Sequence, residues 1–221
     1  MERRIVRTAD GSMTIQLPQW QEQYHSLHGA LQESRHVFIR HGLHNFSRRS
    51  VDILEVGFGT GLNALVTLLE APDLDLSVGY TALEAFPVGE AEWQALGYGA
   101  LAGKGAEGEA LFHALHRAPW GQQCPITPEF TLHKILTDFR EFSSQPAFDL
   151  VYFDAFGARV QPELWTEDVF ARMYQALRPG GFLVTYSARG SVRRAMQAVG
   201  FRTERLPGPP GKREMLRAQK C

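Results

Sequence analysis

The sequence predicts an α/β fold in which a mostly parallel sheet is covered by helices on both faces. Three observations predict it: apolar runs alternate with segments of helical periodicity from residue 51 onward, a glycine-rich turn follows the first run, and acidic residues end several runs. With 221 residues, 44% of them hydrophobic, the chain is long enough to bury a core. We expect a domain over 51–221 and an N-terminal extension over 1–50.

The first half of the chain supplies the start of this pattern. Residues 10–18 alternate weakly after an Asp-Gly turn signal, which predicts a short strand or hairpin arm, and 19–43 form an irregular, partly helical lead-in. Two buried strands and the helix between them follow, at 51–56, 76–85 and 62–71. The helix ends before Pro72, which removes a backbone donor.

The second half continues the alternation. A helical insertion is expected over about 86–129, because this stretch is too long for one crossover helix. The predicted strands lie at 130–138, 148–156 and 182–187, and the predicted helices at 165–177 and 191–200. A final pair of strands, joined at 208–211 by Gly-Pro-Pro-Gly, gives an antiparallel edge to a sheet of seven strands.

The turn after the first strand carries three alternating glycines, Gly57, Gly59 and Gly61. It lacks the Gly-Lys-Ser/Thr ending of a P-loop, and its spacing departs from the dinucleotide pattern G-x-G-x-x-G. Such a tight loop suits a ligand without phosphate that lies against bare backbone, and S-adenosylmethionine is one. A tight turn without a ligand is the alternative interpretation.

Acidic residues end the next three strands. In open α/β sheets ligands bind beyond the carboxyl ends of the strands. Glu84 could accept hydrogen bonds from ribose hydroxyls, and Asp138 from an adenine amino group. Asp154 could take a proton from an acceptor amine, with Phe156 packed beside it. Surface carboxylates at strand ends, or a turn-capping role for Asp154, are the alternatives.

Composition limits the possible classes of protein. The net charge is −1, but residues 178–221 hold ten Lys or Arg against two acids, which fits either a surface for a polyanion or a solvated face. Two cysteines give no disulfide framework. Three His-x-x-His pairs lack further ligands, so no metal is expected. Without a signal-peptide core or an apolar run of ~20 residues, we expect a cytoplasmic protein without a membrane span.

Several motifs together resemble one known family, the methyltransferase half of the bifunctional tRNA 5-methylaminomethyl-2-thiouridine biosynthesis enzymes. The motifs are LEVGFGTGLN, ALEAFP, FDLVYFDAF, QPELWT, LRPGGFLVTYSARGSVRRAMQAVGF and GKREML, together with the N-terminal DGSMTIQLPQWQEQYHSLHGALQESRHVFIRHGL. The resemblance implies a class I methyltransferase fold and S-adenosylmethionine as donor. It also implies methyl transfer to the aminomethyl nitrogen of wobble 5-aminomethyl-(2-thio)uridine in tRNA.

The resemblance also assigns residues. The cofactor set is Glu33, Gly57, Phe58, Gly59, Thr60, Gly61, Asn63, Glu84, Asp138 and Phe139. Asp154 and Phe156 match the acceptor motif, and the segment with Tyr24, Ser26 and Ser34 is expected to close over the site. Contacts to substrate or tRNA are expected from Tyr24, Arg159, Arg189, Arg193, Arg194, Lys212 and Arg213.

Two features depart from the family. A small residue, a proline and a lysine usually follow the acceptor motif, whereas this chain has Gly157-Ala158-Arg159, which predicts a more flexible loop that keeps the positive charge. The family's flavin oxidoreductase half is expected to be absent, so a separate flavin oxidoreductase or another aminomethyl-forming enzyme would supply the substrate.

Three other interpretations remain open at this point. The first is a methyltransferase of the same fold that acts on another amine, of a small molecule or a protein. The second is a tRNA-binding partner without catalysis, and the third is an NAD oxidoreductase, which the glycine spacing disfavours.

Overall fold

The computed structural model describes residues 2–221, and its first element is a small sheet formed by the N-terminal extension. This sheet contains β1 (Arg4–Arg7), β2 (Met13–Leu17) and β3 (Glu22–Gln23), paired antiparallel in that order. The turn between β1 and β2 lies at the predicted Asp-Gly signal. The hairpin arm expected over residues 10–18 is therefore present.

The main sheet has eight strands: β4 (Arg49–Val56), β5 (Leu76–Glu84), β6 (Gln123–Thr127), β7 (Phe130–Leu136), β8 (Phe148–Phe153), β9 (Leu177–Thr185), β10 (Phe201–Pro207) and β11 (Glu214–Lys220). Their order is β10-β11-β9-β8-β4-β5-β7-β6. The five strands from β9 to β7 are parallel, and both edges are antiparallel. The carboxyl ends of the parallel strands therefore meet at one edge of the sheet.

The prediction of seven strands was wrong by one. The additional strand is β6, which lies in the stretch expected to be helical and pairs antiparallel with β7. Its sequence, QCPIT, has no clear alternation and contains Pro125. Proline is tolerated there because β6 is an edge strand, whose outer face needs no backbone donor.

Six α-helices accompany the sheet: α1 (Ala30–Ser34), α2 (Leu62–Glu70), α3 (Glu90–Gln94), α4 (Gly105–Arg117), α5 (Glu167–Ala176) and α6 (Gly190–Ala198). A π-helical turn over Arg35–Arg40 continues α1. Helix α5 ends at Ala176, one residue before the predicted end, and the Arg-Pro-Gly-Gly stretch expected to stop it lies inside β9, which begins at Leu177, five residues earlier than expected. No helix among residues 2–221 has the length and hydrophobicity needed to cross a bilayer.

Strand β8 is buried on both faces and separates two clusters of buried hydrophobic side chains, which form the cores of the protein. The side chain of Tyr152 packs with Phe38 and Tyr80 on one side. The next side chain, Phe153, packs with Trp165 and Phe170 on the other. Because packed interiors resist displacement, the residue that follows β8 is held in a fixed position.

Some basic side chains form ion pairs far from the carboxyl edge of the sheet, and one of them, Arg178, belongs to the basic C-terminal region. Arg178 donates to Asp149 (2.7 Å) and Asp52 (2.8 Å), near the amino ends of β8 and β4. Arg49 also donates to Asp149, at 2.9 Å. Charge counted along the sequence therefore overstates the basic surface near the carboxyl edge.

Candidate active site

A pocket opens beyond the carboxyl ends of β4, β5, β7 and β8, under the N-terminal extension. Most of the residues predicted to bind a cofactor or an acceptor line it: Tyr24, Glu33, Gly57, Phe58, Gly59, Thr60, Asn63, Glu84, Asp138, Phe139, Asp154 and Phe156. Gly61, Arg159, Arg189, Arg193, Arg194, Lys212 and Arg213 are not among the lining residues. The topology thus brings together the acids predicted at separate strand ends.

The three glycines of the loop are required by backbone conformation and by close neighbours. Their φ angles are +90° at Gly57, +51° at Gly59 and +72° at Gly61, in the region that side chains disfavour. A Cβ on Gly57 would lie 3.2 Å from the carbonyl oxygen of Asp154, and one on Gly61 would lie 2.8 Å from Nε2 of His116. On Gly59 it would lie 3.2 Å from the ring of Tyr24. The loop is therefore packed against protein on several sides.

The backbone amides of this loop are engaged within the protein. The N–H groups of Gly57 and Phe58 both donate to the carbonyl of Leu83 at 3.0 Å, and that of Gly61 donates to the carbonyl of Phe58 at 2.8 Å. The N–H of Gly59 donates to the Glu84 carboxylate at 2.8 Å. A phosphate cradle needs such amides free. The geometry therefore agrees with a ligand that brings no phosphate to the loop.

Two histidines from distant segments hold Thr60, in the middle of the loop. Nε2 of His25 lies 2.6 Å from the Thr60 hydroxyl, and Nε2 of His116 donates to the Thr60 carbonyl at 3.0 Å. Burial lowers the pKa of each histidine to about 4, so both are neutral at pH 7. We call them the histidine clamp.

In the sequence these histidines belong to His-x-x-His pairs, which suggest only a metal site and give no sign of the clamp. Among residues 2–221, no group of three or more metal-ligating side chains is present. No local pattern could have revealed the clamp, because its contacts join residues 35 and 56 positions apart.

The two acids predicted on the nucleoside side differ in their surroundings. Glu84 accepts hydrogen bonds from the amides of Gly59 and Phe86, both at 2.8 Å, and retains acceptor capacity towards the pocket. Asp138 forms an ion pair with Arg140 at the rim, and the hydrogen bonds from Arg140 lower the pKa of Asp138. The roles of Glu84 towards ribose and Asp138 towards adenine remain predictions.

Asn63 links the buried Glu55 and the half-buried Asp154 at the centre of the site. Its amide nitrogen donates to Glu55 at 3.0 Å and to Asp154 at 2.8 Å. Its amide oxygen accepts from the hydroxyl of Ser34 at 2.5 Å. These bonds fix the amide orientation, so both N–H groups point at carboxylates.

The two acids have different protonation behaviour. Burial raises the pKa of Asp154 to about 7; the charge of Glu33 also raises it, while Asn63 and Lys212 lower it. Burial raises the pKa of Glu55 well above its usual value. The raised pKa of Glu55 favours its protonated form, whereas Asp154 exchanges a proton near neutrality. That behaviour suits a general base.

Aromatic side chains form the wall next to Asp154. The ring of Phe156 makes edge contacts with Tyr24 (centroids 4.9 Å apart) and Trp20 (5.6 Å). Trp165 donates to the carbonyl of Phe156 and Tyr186 to that of Ala155, both at 2.8 Å. The acceptor motif is thus held from both sides, and Trp20 and Tyr186 join the pocket without having been predicted.

Arg159 fastens the loop after Phe156 to the N-terminal extension. Its guanidinium donates to the carbonyls of Trp20 (3.0 Å) and Gln21 (2.9 Å) and pairs with Glu22 at 3.4 Å. The loop that lacks the family proline therefore has another tether.

The residues predicted to contact tRNA do not form one group. Arg189, Arg194 and Arg213 are exposed, and Arg193 is half-buried. Lys212 instead pairs with the buried Glu33 at 2.5 Å. The prediction that grouped Lys212 with the surface arginines therefore needs correction: Lys212 does not line the pocket itself, but its ammonium contacts Glu33, which does.

The sequence of this chain matches a known protein family. Residues 109–221 match the protein family described as S-adenosyl-L-methionine-dependent methyltransferase. The chain belongs to this methyltransferase family. The fold class and the cofactor, S-adenosylmethionine, are thereby confirmed.

Individual relatives of this methyltransferase point in the same direction. The chain is 32% identical over 218 residues to the tRNA 5-methylaminomethyl-2-thiouridine biosynthesis bifunctional protein MnmC of Paracidovorax citrulli, with 91% of this chain and 33% of the relative covered. The protein of the same name from Ectopseudomonas mendocina is 31% identical over 87% of this chain and 31% of its own length. The chain thus spans about a third of these relatives, and the resemblance to their methyltransferase part is confirmed.

A solved structure extends the comparison to the fold. The crystal structure of MNMC2 from Aquifex aeolicus superposes with a TM-score of 0.76 at 27% identity, over 98% of this chain and 69% of that one. The N-terminal extension is therefore included in the similarity.

The pocket of the methyltransferase fits its cofactor. S-adenosylmethionine carries a sulfonium and an ammonium and has no phosphate, and the pocket offers the carboxyl groups of Glu33, Glu84 and Asp154. At Gly57 and Gly59 the loop presents bare backbone to the pocket. A cationic nucleoside therefore matches the charge and the shape of the site.

Proposed function

We propose that this methyltransferase transfers a methyl group to the aminomethyl nitrogen of wobble 5-aminomethyl-(2-thio)uridine in tRNA. The observation that carries the proposal is Asp154, a carboxylate with a pKa of about 7 beside the ring of Phe156 in the pocket. The names of the bifunctional relatives support the choice of acceptor. Because the chain covers about a third of those proteins, the tRNA substrate is part of the proposal.

The residues of the pocket divide the work of the reaction. Bound S-adenosylmethionine supplies an electrophilic methyl group. The acceptor nitrogen arrives as an ammonium and must lose a proton before its lone pair can form the new bond. Asp154 accepts that proton, and Asn63 fixes one of the Asp154 oxygens at 2.8 Å. Phe156 packs against the acceptor.

The arginines in and near α6, of which Arg193 is half-buried and the others exposed, are the proposed contacts for the tRNA. Arg189 precedes this helix, Arg193 and Arg194 lie in it, and Arg213 lies in the turn before β11. Arginine donates hydrogen bonds to phosphate oxygens and orients nucleic acid without reading its sequence. The modified base must leave its stack to reach a carboxylate inside the pocket.

A nucleoside analysis tests the proposal. The protein is incubated with S-adenosylmethionine and tRNA bearing 5-aminomethyluridine, and the digested nucleosides are analysed by mass spectrometry. We expect a gain of one methyl group on that nucleoside and none on tRNA with unmodified uridine. No gain on the aminomethyl substrate would refute the proposal. Equal methylation of free alkylamines would favour the alternative acceptor, a small molecule or protein.

A pair of variants tests the role of Asp154. Asp154→Asn should bind S-adenosylhomocysteine as the wild type does but lose at least ~100-fold in turnover, the usual contribution of a general base. Glu163→Gln changes an exposed acid nearby and serves as the matched control. Full turnover by Asp154→Asn would eliminate this residue as the base.

A further inference from the structure

Lys212 lies in the turn between β10 and β11, yet its ammonium belongs to the pocket side of the molecule. Nζ contacts Oε1 of Glu33 at 2.5 Å and stands 3.9 Å from the ring centroid of Tyr186. The other oxygen of Glu33 accepts the backbone N–H of Ser26 at 2.7 Å. Glu33 is buried, whereas the Lys212 side chain is partly exposed, so the pair is only partly screened by solvent and salt.

The pair borders an accumulation of acids. Glu33 comes from α1, Glu55 from β4 and Asp154 from the end of β8, and Asn63 bridges the last two. Glu33 and Asp154 line the same pocket, and charges of one sign in one site disfavour their common ionisation. An ammonium in contact with Glu33 therefore bears on whether Asp154 is ionised.

We propose that Lys212 is a positioning residue of the methyl transfer reaction, which neutralises Glu33 and so allows Asp154 to carry a negative charge beside it. The proposal rests on the function proposed above. It separates Lys212 from its neighbour Arg213, whose side chain is exposed. Two adjacent basic residues thus have different tasks: Lys212 pairs with a carboxylate of the pocket, and Arg213 lies on the surface.

The electrostatic surroundings of Asp154 determine the sign of the effect. The groups that face it from the surrounding elements are Glu33, Glu55, Asn63, Tyr186 and Lys212. Glu33 raises the pKa of Asp154 and Lys212 lowers it. Removal of the ammonium therefore leaves the Glu33 charge unopposed, and Asp154 keeps its proton to higher pH.

The pH dependence of kcat tests this at saturating cofactor and tRNA. The base must be ionised, so activity rises with pH through its pKa. In Lys212→Met we expect this acid limb to move up by about one pH unit, with a roughly tenfold loss of kcat at pH 6 and little change at pH 9. Lys212→Arg should restore the wild-type limb. Arg213→Met should change the salt dependence of tRNA binding and leave the limb in place.

A second readout does not depend on turnover. Carbon-13 NMR of aspartate-labelled protein without ligands follows the titration of Asp154, whose signal is assigned as the one missing in Asp154→Asn. Its midpoint should rise in Lys212→Met and fall in Glu33→Gln. A midpoint unchanged in Lys212→Met overturns the proposal, whatever Glu33→Gln shows. If Lys212→Met does not fold, Lys212→Gln, which also removes the charge, replaces it. Shifted midpoints without methylation of tRNA would instead refute the proposed function.

Discussion

The histidine clamp gives the sharpest prediction about cofactor binding. The ring of His116 stacks on Trp93 with centroids 4.6 Å apart and an angle of 10°, while its Nε2 donates to the carbonyl of Thr60. His116→Phe keeps an aromatic ring of similar size for the stack and removes the donor. The substitution therefore tests the hydrogen bond with little change in packing.

The size of the effect follows from the burial of Thr60. Only 1% of this residue is exposed, so its carbonyl has no ready substitute in water. A buried polar group that loses its partner costs about 1–3 kcal/mol. If the loop moves so that the Thr60 carbonyl finds another partner, part of the binding free energy of the cofactor is used to return the loop to its position. A loss of about 1.4 kcal/mol corresponds to a tenfold weaker Kd. We expect a loss of roughly tenfold.

Calorimetric titration with S-adenosylhomocysteine measures this loss. His113→Phe is the matched control, because His113 lies on the same helix and near Trp93 but bonds to Glu109. His116→Gln offers an N–H donor and should recover part of the affinity. An unchanged Kd in His116→Phe, or the same loss in His113→Phe, would refute the role of the clamp.

Two further predictions concern charge. Because folding raises the pKa of Asp154 to about 7, the folded state holds this proton more tightly than the unfolded state, and stability falls as pH rises from about 4 to about 7. Asp154→Asn should therefore increase the free energy of unfolding at pH 8 but not at pH 4, as measured by urea denaturation; equal effects at both values would contradict this reasoning. Arg189→Ala combined with Arg194→Ala should reduce the slope of log K for tRNA against log salt by about two, and an unchanged slope would exclude this surface.

The amino-acid sequence was sufficient to predict the parallel strands of the sheet and the residues at their carboxyl ends. Apolar runs that end in Gly57, Glu84 and Asp154 specify parallel strands whose carboxyl ends meet, because strand pattern and turn chemistry are encoded locally. The alternating glycines likewise specified a loop that disfavours phosphate. These features depend on neighbouring residues, which is why they could be predicted.

The contacts that hold the glycine loop and the ion pair beside the pocket could be learned only from the tertiary structure. The ion pair of Lys212 with Glu33 joins residues 179 positions apart, and charge counted along the chain placed Lys212 on the surface instead. The histidine clamp and the short edge strand β6 were equally invisible. Hydrogen bonds and ion pairs depend on atoms within a few ångströms of each other, and the sequence carries no local trace of which distant segments the fold brings together.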